Sequence, residues 1–295
     1  MVLESKSMRP AAAIAFTVTG MVMLASSDAI VKHLTGLYAI AQILWIRYVL
    51  FAAYGTWLAF SEHGRDGYKS ACLPLQLVRG TVLVCANLVF LFSFSRLPLV
   101  DVHALIAAAP VIVTCASVFV LNETVGVRRW LAIAVGFCGV LVMLRPGAGV
   151  FQLIALAPLL GAGLYSSYQI LTKLVGRHDT QAKTQFFTGM TGLFWFSLIA
   201  PFVWKEPHIA DFGWLAATAV AGTLAHIFII RGLHLAPAST LQPFSYSMLV
   251  AATWLGYVFF DEIPDAYTLV GASIIVASGL YTWHRERLSH RPDGG

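Results

Sequence analysis

Residues 102–122 read VHALIAAAPVIVTCASVFVLN, twenty-one positions without a Lys, Arg, Asp or Glu, bounded by Asp101 and Glu123. At about 1.5 Å of rise per residue, such a helix covers roughly 30 Å, the thickness of a hydrocarbon core. A helix also satisfies its own backbone where no water can. Equally charge-free stretches lie between Arg145 and Lys173, Lys183 and Lys205, Asp211 and Arg231, and Arg231 and Asp261. A segment built to cross a bilayer therefore recurs along the chain.

The composition agrees. Of 295 residues, 58% are hydrophobic and 11% charged, whereas about a quarter is charged in soluble domains. A water-soluble domain is excluded. The net charge of +5 carries less information than the placement of the basic residues, and no nucleic-acid motif accompanies it. Cys85, Cys115 and Cys138 lie in apolar runs and Cys72 in a polar connection, a pattern of buried filler with no disulfide or metal spacing. No cofactor is expected. Lys6 and Arg9 precede the first apolar run without a small-residue cleavage site, so that run is read as a retained helix.

Apolar runs and their punctuation predict ten spans: Ala11–Lys32, Ala41–Phe60, Gln76–Phe94, Val100–Leu121, Arg129–Leu144, Val150–Leu174, Thr184–Phe202, Phe212–Arg231, Ala238–Phe260 and Ala266–Trp283. The expected fold is all-α, a polytopic membrane protein. Lys and Arg accumulate on cytoplasmic faces. Threading the chain through these spans puts Lys32, Arg96, Arg145 and Lys205 on one side and fourteen basic residues on the other, with Arg47 inside the second span. Both termini are thus predicted to be cytoplasmic, and no connection is long enough for a soluble domain.

The halves resemble each other at a fixed offset. Leu97-Pro98 and Ala236-Pro237 are each followed, 25 residues after the proline, by Glu123 and Glu262, and both pairs are 139 positions apart. The Ser26-Ser27 to Lys32 segment has its likeness in Ser166-Ser167 to Lys173, with one insertion. A five-span unit begins and ends on opposite faces, so a second copy must insert upside down. Residues 1–145 and 146–295 are read as two inverted five-helix repeats around a central cavity.

With the Asn122-Glu123 and Asp261-Glu262 span endings and the Gly136/Gly139 and Gly271/Gly279 helices that follow them, this layout resembles the drug/metabolite transporter superfamily, EamA-type, over almost the whole chain. Length and aromatic content are similar to bacterial amino-acid exporters, especially those for aromatic amino acids. The resemblance implies a basket of helices one, three, four, six, eight and nine around the cavity, a small-molecule cargo, a bacterial inner-membrane location and outward movement.

Candidate lining residues follow from helical spacing. Span four puts His103, Ala107, Pro110, Thr114 and Ser117 on one face; a contact between small residues is the competing reading. Span nine aligns Ser239, Gln242, Tyr246 and Thr253, with Pro243 interrupting the ladder beside Gln242; an amide and a phenol there can bond a polar head and stack on a ring, with interhelical hydrogen bonding as the competing reading. Asn87 with Phe90 and Phe94, and Tyr165 with Gln169 and Thr172, add polar floors and aromatic walls; packing is the competing reading for the two Phe. His226 is ionisable at depth and is read as a neutral histidine with one hydrogen bond, Thr223 one turn away being the expected partner, with a proton-coupling role as the competing reading. Asp28 and Asp101 are read as ion-pair or interfacial groups, with Lys32 and Arg47 as their candidate partners, a proton site or a gate being the competing readings. Glu123 and Glu262 are read as packing at the repeat ends.

These residues point to alternating-access transport of a small amphiphilic metabolite, an amino acid being the leading choice. No Gly-x-x-x-x-Gly-Lys-Ser/Thr loop is present, so a gradient must drive it, with protons as the candidate coupling ion. An intramembrane enzyme would need a nucleophile with a base, or a metal cluster; neither His-Glu-x-x-His nor Gly-x-Ser-x-Gly occurs. A passive channel is the third reading, and no charged ring or filter-like segment favours it.

Overall fold

The structure is a computed structural model that describes residues 10–109, 112, 113, 115, 116, 120, 127–144, 151–236, 241 and 244–289. Among these are ten α-helices and no strand: α1 Pro10–Thr35, α2 Ile40–His63, α3 Leu73–Phe94, α4 Leu99–Ile106, α5 Val127–Leu144, α6 Phe151–Val175, α7 Gln181–Ile199, α8 Phe212–Leu235, α9 Ser247–Phe260 and α10 Ala266–Ser289. Five are long and apolar enough to cross a bilayer, namely those covering Ala11–Thr35, Ile40–Tyr68, Leu73–Phe94, Ile154–Val175 and Ile209–Leu235.

Helix ends differ from the hydropathy reading where capping chemistry overrides it. α3 begins at Leu73, three residues early, because Pro74 occupies its first turn. α7 is displaced toward the N-terminus. Thr180 caps it by accepting the Lys183 N–H at 3.5 Å, and the helix gives way before Pro201 to a 3-10 turn, Ala200–Phe202. α10 continues through Arg285 and Arg287 to Ser289, past the apolar run that ends at Trp283. α9 stops at Asp261, whose φ of 51° is left-handed, and the next N–H, that of Glu262, closes on Gly256 O at 3.1 Å. That turn delivers Glu262 to the end of α1, where its carboxylate pairs with Lys32 and accepts the Leu99 N–H at 2.7 Å. The packing role assigned to Glu262 is what is observed; the pairing of Lys32 with an aspartate is not. Asp101 accepts from Thr268 Oγ1 at 2.9 Å.

The packing is inside out relative to a soluble domain. Trp57, Phe137, Leu160, Phe194, Val250 and Trp254 are exposed, while Gln42, Gln76, Arg79, Thr184, Gln185 and Thr188 are fully buried. Large apolar side chains thus face outward around an interior that holds polar groups beside its apolar core, an arrangement a lipid solvent permits.

The principal packings are α1 on α8 and α9, α2 on α7 and α8, α3 on α6 and α7, α4 on α6 and α9, and α5 on α10. Exchanging each helix with the one five places away leaves this set unchanged. The loops obey the same exchange. Between the α1–α2 and α7–α8 connections, Tyr38 Oη donates to Asp211 at 2.6 Å, and Gln42 exchanges two bonds with the Lys205 backbone at 2.6 and 3.0 Å. Between the α6–α7 and α2–α3 connections, Asp179 accepts from Ser70 Oγ and, at 3.0 Å, from the Ala71 N–H.

Contact between α2 and α7 needs small residues. A Cβ on Gly189 would lie 2.7 Å from Ala52 Cα, and one on Gly55 would lie 2.9 Å from Gln185 O. Gly189→Leu is therefore expected to lower stability by about 1–3 kcal/mol, read from thermal unfolding in detergent. The neighbouring exposed Met190→Ala serves as control, and an unchanged transition for both would remove this packing account.

Candidate functional site

A narrow cavity opens between α1, α4, α6 and the entry to α9. It is lined by Met21, His103, Ile106, Ala107, Tyr165, Gln169, Ser245, Tyr246, Met248 and Leu249, and its volume in this state is about 20 Å³, room for about one water. Four residues selected by helical spacing, His103, Tyr165, Gln169 and Tyr246, meet here from three separate segments. Among the described residues, neither His103 ring nitrogen has a hydrogen-bond partner, nor does the Tyr165 or the Tyr246 hydroxyl. Buried polar atoms are nearly always bonded in native structures. Three side chains with unspent hydrogen-bonding capacity around one cavity suit a polar ligand.

The aromatic setting is ordered. Tyr165 stacks on Tyr168 with centroids 5.9 Å apart and meets the edge of Phe90 at 6.3 Å, while Phe94 tilts against His103 at 5.2 Å. Behind His103, Asp28 Oδ2 lies 3.7 Å from Nε2, so Asp28 turns toward the cavity wall and away from Lys32.

The other selected residues lie elsewhere. Asn87 is outside the cavity lining and donates Nδ2 to Tyr48 Oη at 2.9 Å. His226 is also outside the lining; its ring stacks on Phe51 at 5.4 Å and meets Tyr168 edge-on at 6.4 Å. The expected Thr223–His226 bond is not formed, since Thr223 Oγ1 and His226 Nδ1 both lack partners among the described residues. Gln242 lies outside the described residues, as do Pro110, Thr114, Ser117, Asn122, Glu123, Ser239 and Pro243. Thr172 is drawn away from the cavity: it bonds back to Tyr168 O at 2.7 Å and accepts from Arg79 at 3.4 Å.

Two arginines take a larger part than their place in the sequence suggests. Arg79, one of the fourteen basic residues that the threading of spans places on the cytoplasmic face, is 0% exposed. Its Nη2 donates to Gln76 Oε1 at 2.9 Å, Thr184 O at 2.8 Å and Thr188 Oγ1 at 2.7 Å, and its guanidinium lies 5.4 Å from the Tyr168 ring centre. The other end of Gln76 donates to Asp179 at 2.9 Å, so one amide links the buried cation to the loop carboxylate. Arg47, in α2, is 5% exposed and its Nη1 has no partner among the described residues. The signal was available: Arg47 is a cation in the middle of an apolar span.

Burial opposes ionisation of Asp179. Bonds from Ser70, Gln76, the Ala71 N–H and Cys72 outweigh it and hold the carboxyl below its ordinary 3.8. A depressed carboxylate stabilises the fold above its unfolded pKa, and that contribution is lost as pH falls through the lower, folded value. Asp179→Asn is thus expected to lower the unfolding temperature at pH 7. The wild-type advantage over this variant should fade below about pH 4; an advantage that grew in acid would contradict the hydrogen-bond account.

The sequence model of the EamA-like transporter family matches residues 11–145 and, separately, residues 152–282. The S-adenosylmethionine uptake transporter of Rickettsia prowazekii (strain Madrid E) is 24% identical over 227 residues, 77% of each chain. The riboflavin transporter of Vibrio cholerae serotype O1 is 30% identical over 177 residues, 59% of each chain. The pseudopaline exporter of Pseudomonas aeruginosa (strain UCBPP-PA14) is 24% identical over 259 residues, 85% of this chain and 88% of that one. One solved crystal structure superimposes with a TM-score of 0.69 at 16% identity, covering 94% of this chain and 99% of the other, which is a likeness of fold. The expected likeness to amino-acid exporters finds no support in these relatives, and their names include uptake as well as export.

Proposed function

The chain belongs to the EamA-like transporter family, and from that premise we propose that it is a secondary transporter carrying a small amphiphilic metabolite across the bacterial inner membrane by alternating access. The observation that carries this reading is the cavity in which His103, Tyr165 and Tyr246 hold unspent hydrogen-bonding atoms beside Gln169. Aromatic faces with a few polar groups suit a flat ring bearing a polar end. Gln242, four residues before Tyr246, belongs to the same proposed site, and Asn87 and His226 form its deeper polar surroundings. Protons remain the proposed coupling ion because Asp28 and His103 face each other across 3.7 Å at the cavity wall. Outward movement rests on the family likeness, and aromatic amino acids stay in the cargo panel beside S-adenosylmethionine and riboflavin.

Alternating access needs two halves that exchange roles. The two family matches, the 139-residue offset and the exchange of helix packings support two inverted five-helix repeats, residues 1–145 and 146–295, with both termini cytoplasmic. In that orientation Lys32, Glu262 and the Leu97 and Leu99 backbone close the outer end. Lys32 Nζ donates to Leu97 O at 3.2 Å, and its likeness in the second half, Lys173, donates to Ala236 O at 2.8 Å. Leu97 and Ala236 are themselves 139 positions apart. The same lysine-to-backbone contact thus recurs at the two ends of the proposed pathway.

Purified protein in sealed vesicles loaded in turn with labelled aromatic amino acids, S-adenosylmethionine and riboflavin tests the reading. Saturable movement of at least one unmodified compound is expected. A chemically altered product would establish an enzyme, and unsaturable flux a channel. Gln242→Ala and Tyr246→Ala are each expected to slow transport by about fivefold or more, the loss of roughly one hydrogen bond or ring contact; normal rates for every compound in both variants would sink the cavity assignment. Glu262→Gln, which leaves Lys32 without its counter-charge, is expected to speed maleimide labelling from outside of a cysteine placed at Ala107 in a chain lacking its four native cysteines. An unchanged labelling rate would mean that this ion pair is not an outer closure.

A further inference from the structure

The two buried arginines differ in what they hold. Arg79 meets oxygen acceptors from α3, α6 and α7, which take four bonds from its two terminal nitrogens and leave only Nε without a partner among the described residues. Arg47 is also buried, at 5% exposure, and cannot lose its proton, and here it is a fork nitrogen, Nη1, that is without an acceptor among the described residues. Its place is shaped for it. A Cβ on Gly222 of α8 would come 2.7 Å from Arg47 Nη2, so the absence of a side chain there makes room for the guanidinium. Asp28 is the acid near enough to attract it, and His226 is near enough to feel its charge. Asp28 also faces His103 at 3.7 Å, which links the neighbourhood of Arg47 to the wall of the cavity. Thr223 Oγ1 and His226 Nδ1, on α8 beside Gly222, are unpartnered too. A buried cation with a free donor, next to further unspent polar atoms, lacks an oxyanion.

We propose that Arg47 receives a carboxylate or phosphate group of the cargo, so that this transporter selects amphiphiles whose polar end is anionic. The inference rests on the transport reading above and deepens it. Guanidinium and oxyanion match in a charge-assisted, two-pronged bond, worth more in a dry interior than in water. The cargo's ring would lie toward Tyr165 and Tyr246, and its anion would take a place that Asp28 serves through Coulomb attraction alone.

The test uses matched pairs differing at one group, indole-3-acetate with indole-3-acetamide and riboflavin 5′-phosphate with riboflavin. Binding to the purified full chain in detergent is read from thermal stabilisation against ligand concentration. For the wild type, the anionic member of at least one pair is expected to half-saturate at a concentration about tenfold lower than its neutral partner. The indole pair reports a carboxylate, the riboflavin pair a phosphate. In Arg47→Gln the preference is expected to fall to within about twofold, while Arg47→Lys, which keeps the charge but loses the fork, retains part of it. Arg79→Lys tests whether any buried cation would do, and it should leave the preference in place. A wild-type chain that moves cargo in vesicles yet shows no charge preference in either pair would leave transport standing and overturn the Arg47 assignment. So would an Arg47→Gln chain that elutes as a folded monodisperse protein and keeps the preference.

Discussion

A guanidinium cannot shed its proton to suit a dry environment, so each buried arginine obliges the surrounding helices to supply acceptors or to leave a place for one. Arg79 is met by the Gln76 amide, a threonine carbonyl and two threonine hydroxyls. Those partners come from α3, α6 and α7, so one side chain ties three helices drawn from both halves of the chain. Through Gln76 the same network reaches Asp179, which fastens the α2–α3 connection at Ser70 and Ala71. Cation and carboxylate never touch; an amide between them carries the polarity. Arg47 obeys the same rule with the opposite outcome. Arg79 places four bonds from the ends of its fork and leaves only Nε without a partner among the described residues, whereas Arg47 leaves the fork nitrogen Nη1 free there, and that separates the arginine we assign to ligand from the one that holds the bundle.

The remaining polar architecture is arranged by the same economy of acceptors. Side chains that could not face lipid are gathered at the ends, in the Tyr38–Asp211 and Asp179–Ser70 junctions, and along the interior, where Tyr165, His103 and Tyr246 border empty space. The end junctions are exchanged when each helix is replaced by the one five places on, as are the helix packings between them. Under the proposed inversion, one junction would close each face of the membrane.

Much of the helix plan was legible because hydropathy in lipid is a strong, local signal. The positions of α1, α2, α5 and α6 differ from the apolar runs by only a few residues at either end. The misjudged ends belong to capping and to proline. Thr180 and Pro201 displaced α7, and α10 runs on through charged residues because a helix does not stop where its apolar stretch does. Part of the cavity was legible too. Spacing on single helices selected His103, Tyr165, Gln169 and Tyr246, and these converge. The same spacing also selected Asn87 and Thr172, which other side chains claim, namely Tyr48 and Arg79. Periodicity identifies a face of a helix but not what stands opposite it.

Sequence alone was therefore sufficient for whatever depends on one segment and its solvent: a helical, polytopic membrane chain, the approximate places of several of its helices, and an offset in the sequence between its halves. Tertiary structure decided every question of partnership. Lys32 takes Glu262, 230 positions away, and not the nearby Asp28; Asp28 turns to His103; Arg79 is enclosed with four bonds from its two terminal nitrogens; Arg47 is enclosed with Nη1 unpartnered among the described residues. Burial in lipid is an energy of the segment, whereas a hydrogen bond or an ion pair is an energy of two groups whose distance only the folded chain determines.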